Sequence, residues 1–327
     1  MAASLVLAAP AHPGGPAADS DVKRGTFRAS DGALIEYFTH GDPATAPILI
    51  SPAFTGDAQL YVTRFGAALP DNFVVGVQLR GHGGSGGCSF LGSDLCSASQ
   101  GPRDGEYLAF RMRRLAKDLR EAKQHLGLGR AGFIGHSIGM NVVSQYLHQF
   151  GADDFGALFV YDESPRILKG GSPAPADFPL GVVSYPRSVA KQLRARLAVF
   201  DGESYPQVPA SVRAMLGGPA GDPVFNPVTE APSFVLTQKS WGRWRAFADR
   251  INGTVLSRMF WSSVSSDYTD VYATVRKARV PTLVYGGRSS IVPWRAMRWV
   301  HEQVPGSEFM LLGRKVGVHG SFLKPDP

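Results

Sequence analysis

Gly135-His136-Ser137-Ile138-Gly139 decides how the rest of the chain is read. Before it lies the apolar run Ala131 to Ile134, in which Phe133 and Ile134 suit a short buried strand. After it, Val142, Val143, Tyr146, Leu147 and Phe150 recur at helical spacing between Met140 and Phe150. The stretch is expected to run strand, sharp turn, helix, with the pattern G-x-S-x-G at the turn. Such a turn strains the backbone of its serine, and the glycines two positions to either side keep Cβ atoms off the neighbouring strand and helix. The Ser137 hydroxyl then projects above the sheet edge at a helix N-terminus, whose dipole favours developing negative charge. Glycines flank serines by chance in many chains, so the strand before and the helix after are what give the pattern weight.

Working outward, 327 residues with 44% hydrophobic content can bury a sizeable core, either as one large α/β domain or as a core with an inserted lid. The net charge of +7 and pI near 9.5 permit an anionic partner, but the basic residues are scattered. The densest group, Arg111, Arg113, Arg114, Lys117 and Arg120, is interleaved with Leu108, Met112, Leu115 and Leu119 at helical spacing. That describes the solvated face of an amphipathic helix and not a nucleic-acid surface. No apolar run is long enough to span a bilayer. Residues 1–24 read as a disordered leader or signal remnant, with a short apolar segment and small residues but no basic start. Cys88 and Cys96 lie close together in a Gly/Ser-rich loop: they form a small disulfide-closed loop in an oxidising compartment, or else two unpaired thiols. These features lean toward secretion without fixing the compartment. Two cysteines cannot build a structural zinc site, and no cofactor is expected.

Taken in order, Thr26 to Ser30 and Ala33 to Phe38 flank Asp31-Gly32, a strong hairpin signal. Apolar strands then alternate with helical segments. The strands are Ile48 to Ser51, Phe73 to Val77, Ala131 to Ile134, Ala157 to Tyr161, Thr282 to Tyr285 and Glu308 to Leu312. The helices are Gln59 to Leu69, Glu106 to Leu126 and Ser137 to Phe150. Strands apolar throughout, alternating with helices, indicate a mostly parallel sheet covered on both faces. The span from about Pro165 to Ala278 breaks the alternation and carries Trp241, Trp244, Phe247, Phe260 and Trp261. It reads as an inserted, mostly helical cap, residues 165–278, between core segments 25–164 and 279–327.

With these residues in place, the chain from Thr26 onward resembles the α/β-hydrolase family with a cap domain. The resemblance rests on GHSIG, on Leu79-Arg80-Gly81-His82-Gly83-Gly84-Ser85-Gly86, and on Val318-His319-Gly320-Ser321 near the end. It implies a doubly wound, mostly parallel eight-stranded sheet, Ser137 as nucleophile and His319 as general base, in the family order serine, acid, histidine. The chemistry requires all three, because a serine hydroxyl needs an imidazole to take its proton and a carboxylate to orient that imidazole. His136 is expected to pack or line the pocket, and His82 to be structural.

The acid departs from the family pattern. Gly286-Gly287-Arg288-Ser289-Ser290-Ile291-Val292-Pro293 has serine where members usually carry aspartate, and serine cannot supply the charge. Tyr161-Asp162-Glu163-Ser164-Pro165 resembles the branches, haloalkane dehalogenases and zearalenone-type lactonases among them, that place the acid after the preceding strand. Alignment on Ser164-Pro165 favours Glu163, with Asp162 the close rival, and Ser290 is then expected to matter little. The oxyanion hole is expected from the N–H groups of Ile138 and Phe54, with Ala53 the alternative to Phe54, since Pro52 cannot donate. The implied activity is acyl-enzyme hydrolysis of a carboxylic ester or lactone of an apolar or aromatic small molecule, the aromatic cap suggesting the substrate. A ligand-binding protein on the same fold, or a cofactor-free lyase or cyclase, stays open beside it.

Overall fold

The opening hairpin forms where the D-G pair puts it. Strands β1 (Lys23–Arg28) and β2 (Leu34–His40) pair antiparallel. At the turn Gly32 takes a φ of 88°, open to glycine alone without strain, and Asp31 Oδ1 accepts the Ala33 N–H at 3.2 Å. Lys23 and Arg24 already pair with Thr39 and Phe38, so β1 begins inside the stretch 1–24.

The apolar runs become β3 (Ala46–Ser51), β4 (Asn72–Val77), β5 (Ala131–His136), β6 (Phe155–Tyr161), β9 (Thr282–Gly287) and β10 (Glu308–Leu312). A separate short hairpin pairs β7 (Pro223–Phe225) with β8 (Pro232–Val235). In this computed structural model the described residues are 21–53, 56–86, 111–166, 223–225, 232–235, 259, 262–263, 266–288, 290, 292–313 and 319. The main sheet has eight strands in the order β1-β2-β4-β3-β5-β6-β9-β10, and its pairings are parallel except the two made by β2. The GHSIG stretch leaves β5, at the middle of the sheet.

Helices cover both faces. They are α1 (Ala58–Ala68), α2 (Met112–His125), α3 (Ile138–Phe150), α4 (Val271–Lys277) and α5 (Trp294–Gln303). Adjacent strand residues divide between two cores. Leu49, Val75 and Phe133 join Val143, Tyr146, Tyr272 and Val300 on one face, while Ile50, Val74 and Ile134 join Tyr61, Val62 and Phe65 on the other. That division is why the strands are apolar throughout and do not alternate.

One expectation about α2 changes. Arg113 and Lys117 face water, but Arg114 binds Asp118 Oδ1 and Glu121 Oε2, each at 2.7 Å. Asp118 also receives the fully buried guanidinium of Arg80 at 2.5 Å, and Arg80 reaches Asp31 at 2.7 Å. Arg114 therefore pairs with carboxylates one and two turns along its own helix, and the partner that spacing alone could not reveal is Arg80 on the buried Asp118.

The excursion between β6 and β9 leaves and returns at one point. Arg166 forms an antiparallel bridge with Asp267, their side chains 3.3 Å apart, and the Tyr268 N–H donates to Pro165 O at 2.8 Å. Beyond that pinch, α4 belongs to the core: Val271, Tyr272 and Val275 pack in the cluster that contains α3. Trp241, Trp244, Phe247, Phe260, Trp261, Cys88 and Cys96 lie outside the described residues, so the cap and any bridge between the cysteines stay expectations.

Candidate active site

Two close approaches explain the glycines of the pattern. A Cβ on Gly139 would lie 2.1 Å from Ser51 O, and one on Gly135 would lie 2.5 Å from Met140 Cα. Backbone atoms cannot move aside cheaply, so Gly139→Ala is expected to lower stability by about 3 kcal/mol, the upper end for overpacking, as read by denaturant unfolding.

Between those glycines Ser137 has φ 53° and ψ −131°, a conformation held by its N–H donating to Tyr161 O at 3.0 Å and its C=O accepting from Met140 at 2.7 Å. Its hydroxyl does not cap α3. Ile138 is the first residue of that helix, so its N–H has no acceptor within the helix.

Asp162 is the first residue past β6 and fully buried. Its N–H still reaches Tyr285 O at 3.2 Å, but its φ of 52° breaks the alternation of the strand. His319 Nδ1–H donates to Asp162 Oδ2 at 2.8 Å. The alignment favouring Glu163 as the partner of His319 is therefore corrected: the residue after the strand end turns its carboxylate to the imidazole, and Glu163 points elsewhere. The Ser290 Oγ–H donates to the same Asp162 oxygen at 2.5 Å, a contact not foreseen for Ser290.

Glu163 is buried, accepting from Ser164 N–H at 2.7 Å, and the Ser137 hydroxyl is near enough to favour its charged form slightly. Loss of solvent, and secondarily the Asp162 charge, push its carboxyl up to about 8 against the pull of the Ser164 N–H and the Ser137 hydroxyl. Tyr272 of α4 is a further neighbour, and its phenol is pushed up by burial and then by the Glu163 charge. Arg166 is turned to Asp267. In an unfolded chain Glu163 ionises near 4.5, so the folded state keeps a proton that the unfolded state releases. The stability this confers is full below that pH and is lost as pH rises through about 8. Glu163→Gln should flatten that decline, visible as a smaller fall in melting temperature between pH 5 and pH 9.

His136 stacks on Tyr161 with ring centroids 3.9 Å apart and lies 4.7 Å from the His319 ring. Its Nδ1 meets the Tyr61 hydroxyl at 2.5 Å, and that hydroxyl accepts the Ala53 N–H at 3.0 Å. Burial, then the neighbouring His319, hold His136 well below the usual histidine range, so it stays neutral beside its partner. The Ala53 N–H is thus engaged inside the loop, while Phe54 lies outside the described residues. His82 is fully buried, its Nδ1 bonded to Arg80 O at 2.8 Å, and desolvation lowers it to about 4, as suits a structural residue. The Tyr61–His136 pair carried no sequence signal beyond two polar residues in apolar company.

The structure thus brings Ser137, Asp162, Glu163, Ser290, His136 and His319 to the carboxyl edge of the sheet. Among the described residues no hydrogen bond joins Ser137 to His319, and Glu163 is the carboxyl nearest in effect to the serine hydroxyl. Catalytic hydrogen bonds of this kind are often open until substrate arrives.

No curated protein matches the chain in sequence. Solved structures do match in fold. A carboxylesterase of the ammonia-oxidising thaumarchaeon Nitrososphaera gargenis is similar at 18% identity and TM-score 0.65, over 92% of this chain and 93% of that one. A hydrolase of Pseudomonas aeruginosa is similar at 20% identity and TM-score 0.62, over 90% and 91%. A bromoperoxidase of Bacillus anthracis is similar at 18% identity and TM-score 0.59, over 90% and 93%, so the likeness carries fold and not a single chemistry. A family model for the alpha/beta hydrolase fold matches residues 46–313, and with the sheet order and the strained serine turn the chain belongs to the α/β-hydrolase family.

Proposed function

We propose that the protein is a serine hydrolase that cleaves a carboxylic ester or lactone of an apolar or aromatic small molecule through an acyl-enzyme. The observation that carries this reading is the hydrogen bond from His319 to the buried Asp162 beside the strained Ser137. A bonded Nδ1 leaves His319 Nε2 as the nitrogen that takes a proton. In this reading Ser137 Oγ attacks the substrate carbonyl while its proton passes to His319 Nε2, and Asp162 stabilises the imidazolium. The Ile138 and Phe54 N–H groups hold the oxyanion. Collapse of the tetrahedral adduct expels the alcohol, which leaves with the His319 proton. Water, deprotonated by the same nitrogen, then attacks the acyl-enzyme and frees the acid and Ser137.

The aromatic residues between 241 and 261 support an apolar acyl or alcohol group, and the paired ends of the excursion at Arg166 and Asp267 support a cap inserted over the site. A fluorophosphonate probe and a panel of p-nitrophenyl esters and aromatic lactones test the reading. The expected result is one label per chain, mapped to Ser137 by peptide mass spectrometry, together with ester or lactone turnover. A chain that takes no label and turns over none of the panel is a binding protein, and turnover without net hydrolysis marks a lyase or cyclase.

A further inference from the structure

The position left without an aspartate is occupied by a residue that contacts the relocated one. We propose that Ser290 is a positioning residue that holds the Asp162 carboxylate against His319, and that its position still accepts the acid itself. This rests on the serine-hydrolase reading above.

The geometry is a triangle. Ser290 Oγ is 2.5 Å from Asp162 Oδ2, His319 Nδ1 is 2.8 Å from the same oxygen, and Ser290 Oγ is 3.4 Å from His319 Nδ1. The Ser290 oxygen accepts the Val292 N–H at 3.1 Å, and its own amide is tied to Gly287 O at 3.2 Å. With a lone pair occupied from behind, the hydroxyl proton is directed at the carboxylate.

Asp162 needs that donor. It is fully buried, and its Oδ1 has no partner among the described residues. Its backbone sits in the left-handed region, a conformation that persists only where surrounding contacts enforce it. Without the hydroxyl, His319 alone would orient the carboxylate, and a buried charge short of one hydrogen bond is costly. A serine that merely fills space would be replaced by alanine without consequence. Because Ser290 Oγ already lies 3.4 Å from His319 Nδ1, an aspartate there reaches the ring with one further atom.

Ser290→Ala and Ser290→Thr separate the two roles, each read by steady-state kinetics on the best p-nitrophenyl ester and by the low-field proton resonance of the His319 Nδ1–H. Ser290→Ala is expected to lower kcat about tenfold at unchanged KM, as loss of one hydrogen bond to a charged group implies, and to move the resonance. Ser290→Thr restores both. Unchanged kcat and resonance in Ser290→Ala overturn the positioning role. In the exchange Asp162→Ser/Ser290→Asp, turnover at least tenfold above that of Asp162→Ser alone is expected, and no recovery overturns the claim that the position accepts the acid. A failed hydrolase reading looks different: wild type takes no fluorophosphonate, yet the resonance still moves in Ser290→Ala. A failed inference leaves the label intact and the resonance still.

Discussion

Ser137→Ala is expected to reduce ester turnover about a millionfold, the scale on which removing a serine nucleophile disables a hydrolase whose triad acts as a unit. On the proposed acyl-enzyme route the hydroxyl supplies the one atom that must bond to the substrate carbonyl, and no neighbour can replace it. Glu163 is buried beside it, but its carboxyl carries a proton below about 8 and is a far weaker nucleophile in that form. His136 adjoins the site yet stays neutral with Nδ1 committed to Tyr61, so it offers no second base. The fold should survive, because Ser137 is held through its backbone N–H and C=O. The check is single-turnover kinetics with a circular-dichroism melt on the same sample. Turnover above about one per cent of wild type, in a variant that still melts normally, would sink the nucleophile assignment.

Asp162→Asn carries the second largest effect, a fall in kcat of about ten-thousandfold with geometry nearly kept. An amide at 162 can present its oxygen to His319 Nδ1–H or its NH2 to the opposite tautomer, and it cannot stabilise an imidazolium in either case. The Ser290 hydroxyl would still find the amide oxygen, so the loop should keep its place and the loss should fall on chemistry. Glu163→Gln is the control that discriminates. Glutamine is close to the protonated glutamate in shape and hydrogen bonding, so its loss should be smaller than that of Asp162→Asn by at least a hundredfold. Comparable losses in the two variants would return the acid role to Glu163, against the 2.8 Å contact of Asp162 with His319.

The sequence by itself determined the sheet, the hairpin, the serine turn and the approximate helices, because those depend on local periodicity and on glycines at fixed offsets. The pattern asked for glycine at 139, and the structure supplied the reason, the Ser51 carbonyl of a neighbouring strand 2.1 Å from any Cβ. The sequence also pointed to the Asp162-Glu163 pair as the place of the acid, through a resemblance that put serine at 290 where members usually carry aspartate. Which of the two meets His319 was decided by tertiary structure. Strand alternation ends at Tyr161, and a φ of 52° at the next residue, tied to Tyr285 of a strand distant in sequence, swings Asp162 to the imidazole and leaves Glu163 buried beside Ser137. Long-range packing likewise put Arg80 on the buried Asp118, paired Tyr61 with His136 and gave Ser290 an acceptor. Each of those contacts joins segments whose spacing along the chain has no period to read, so only the folded sheet brings their polar atoms within reach.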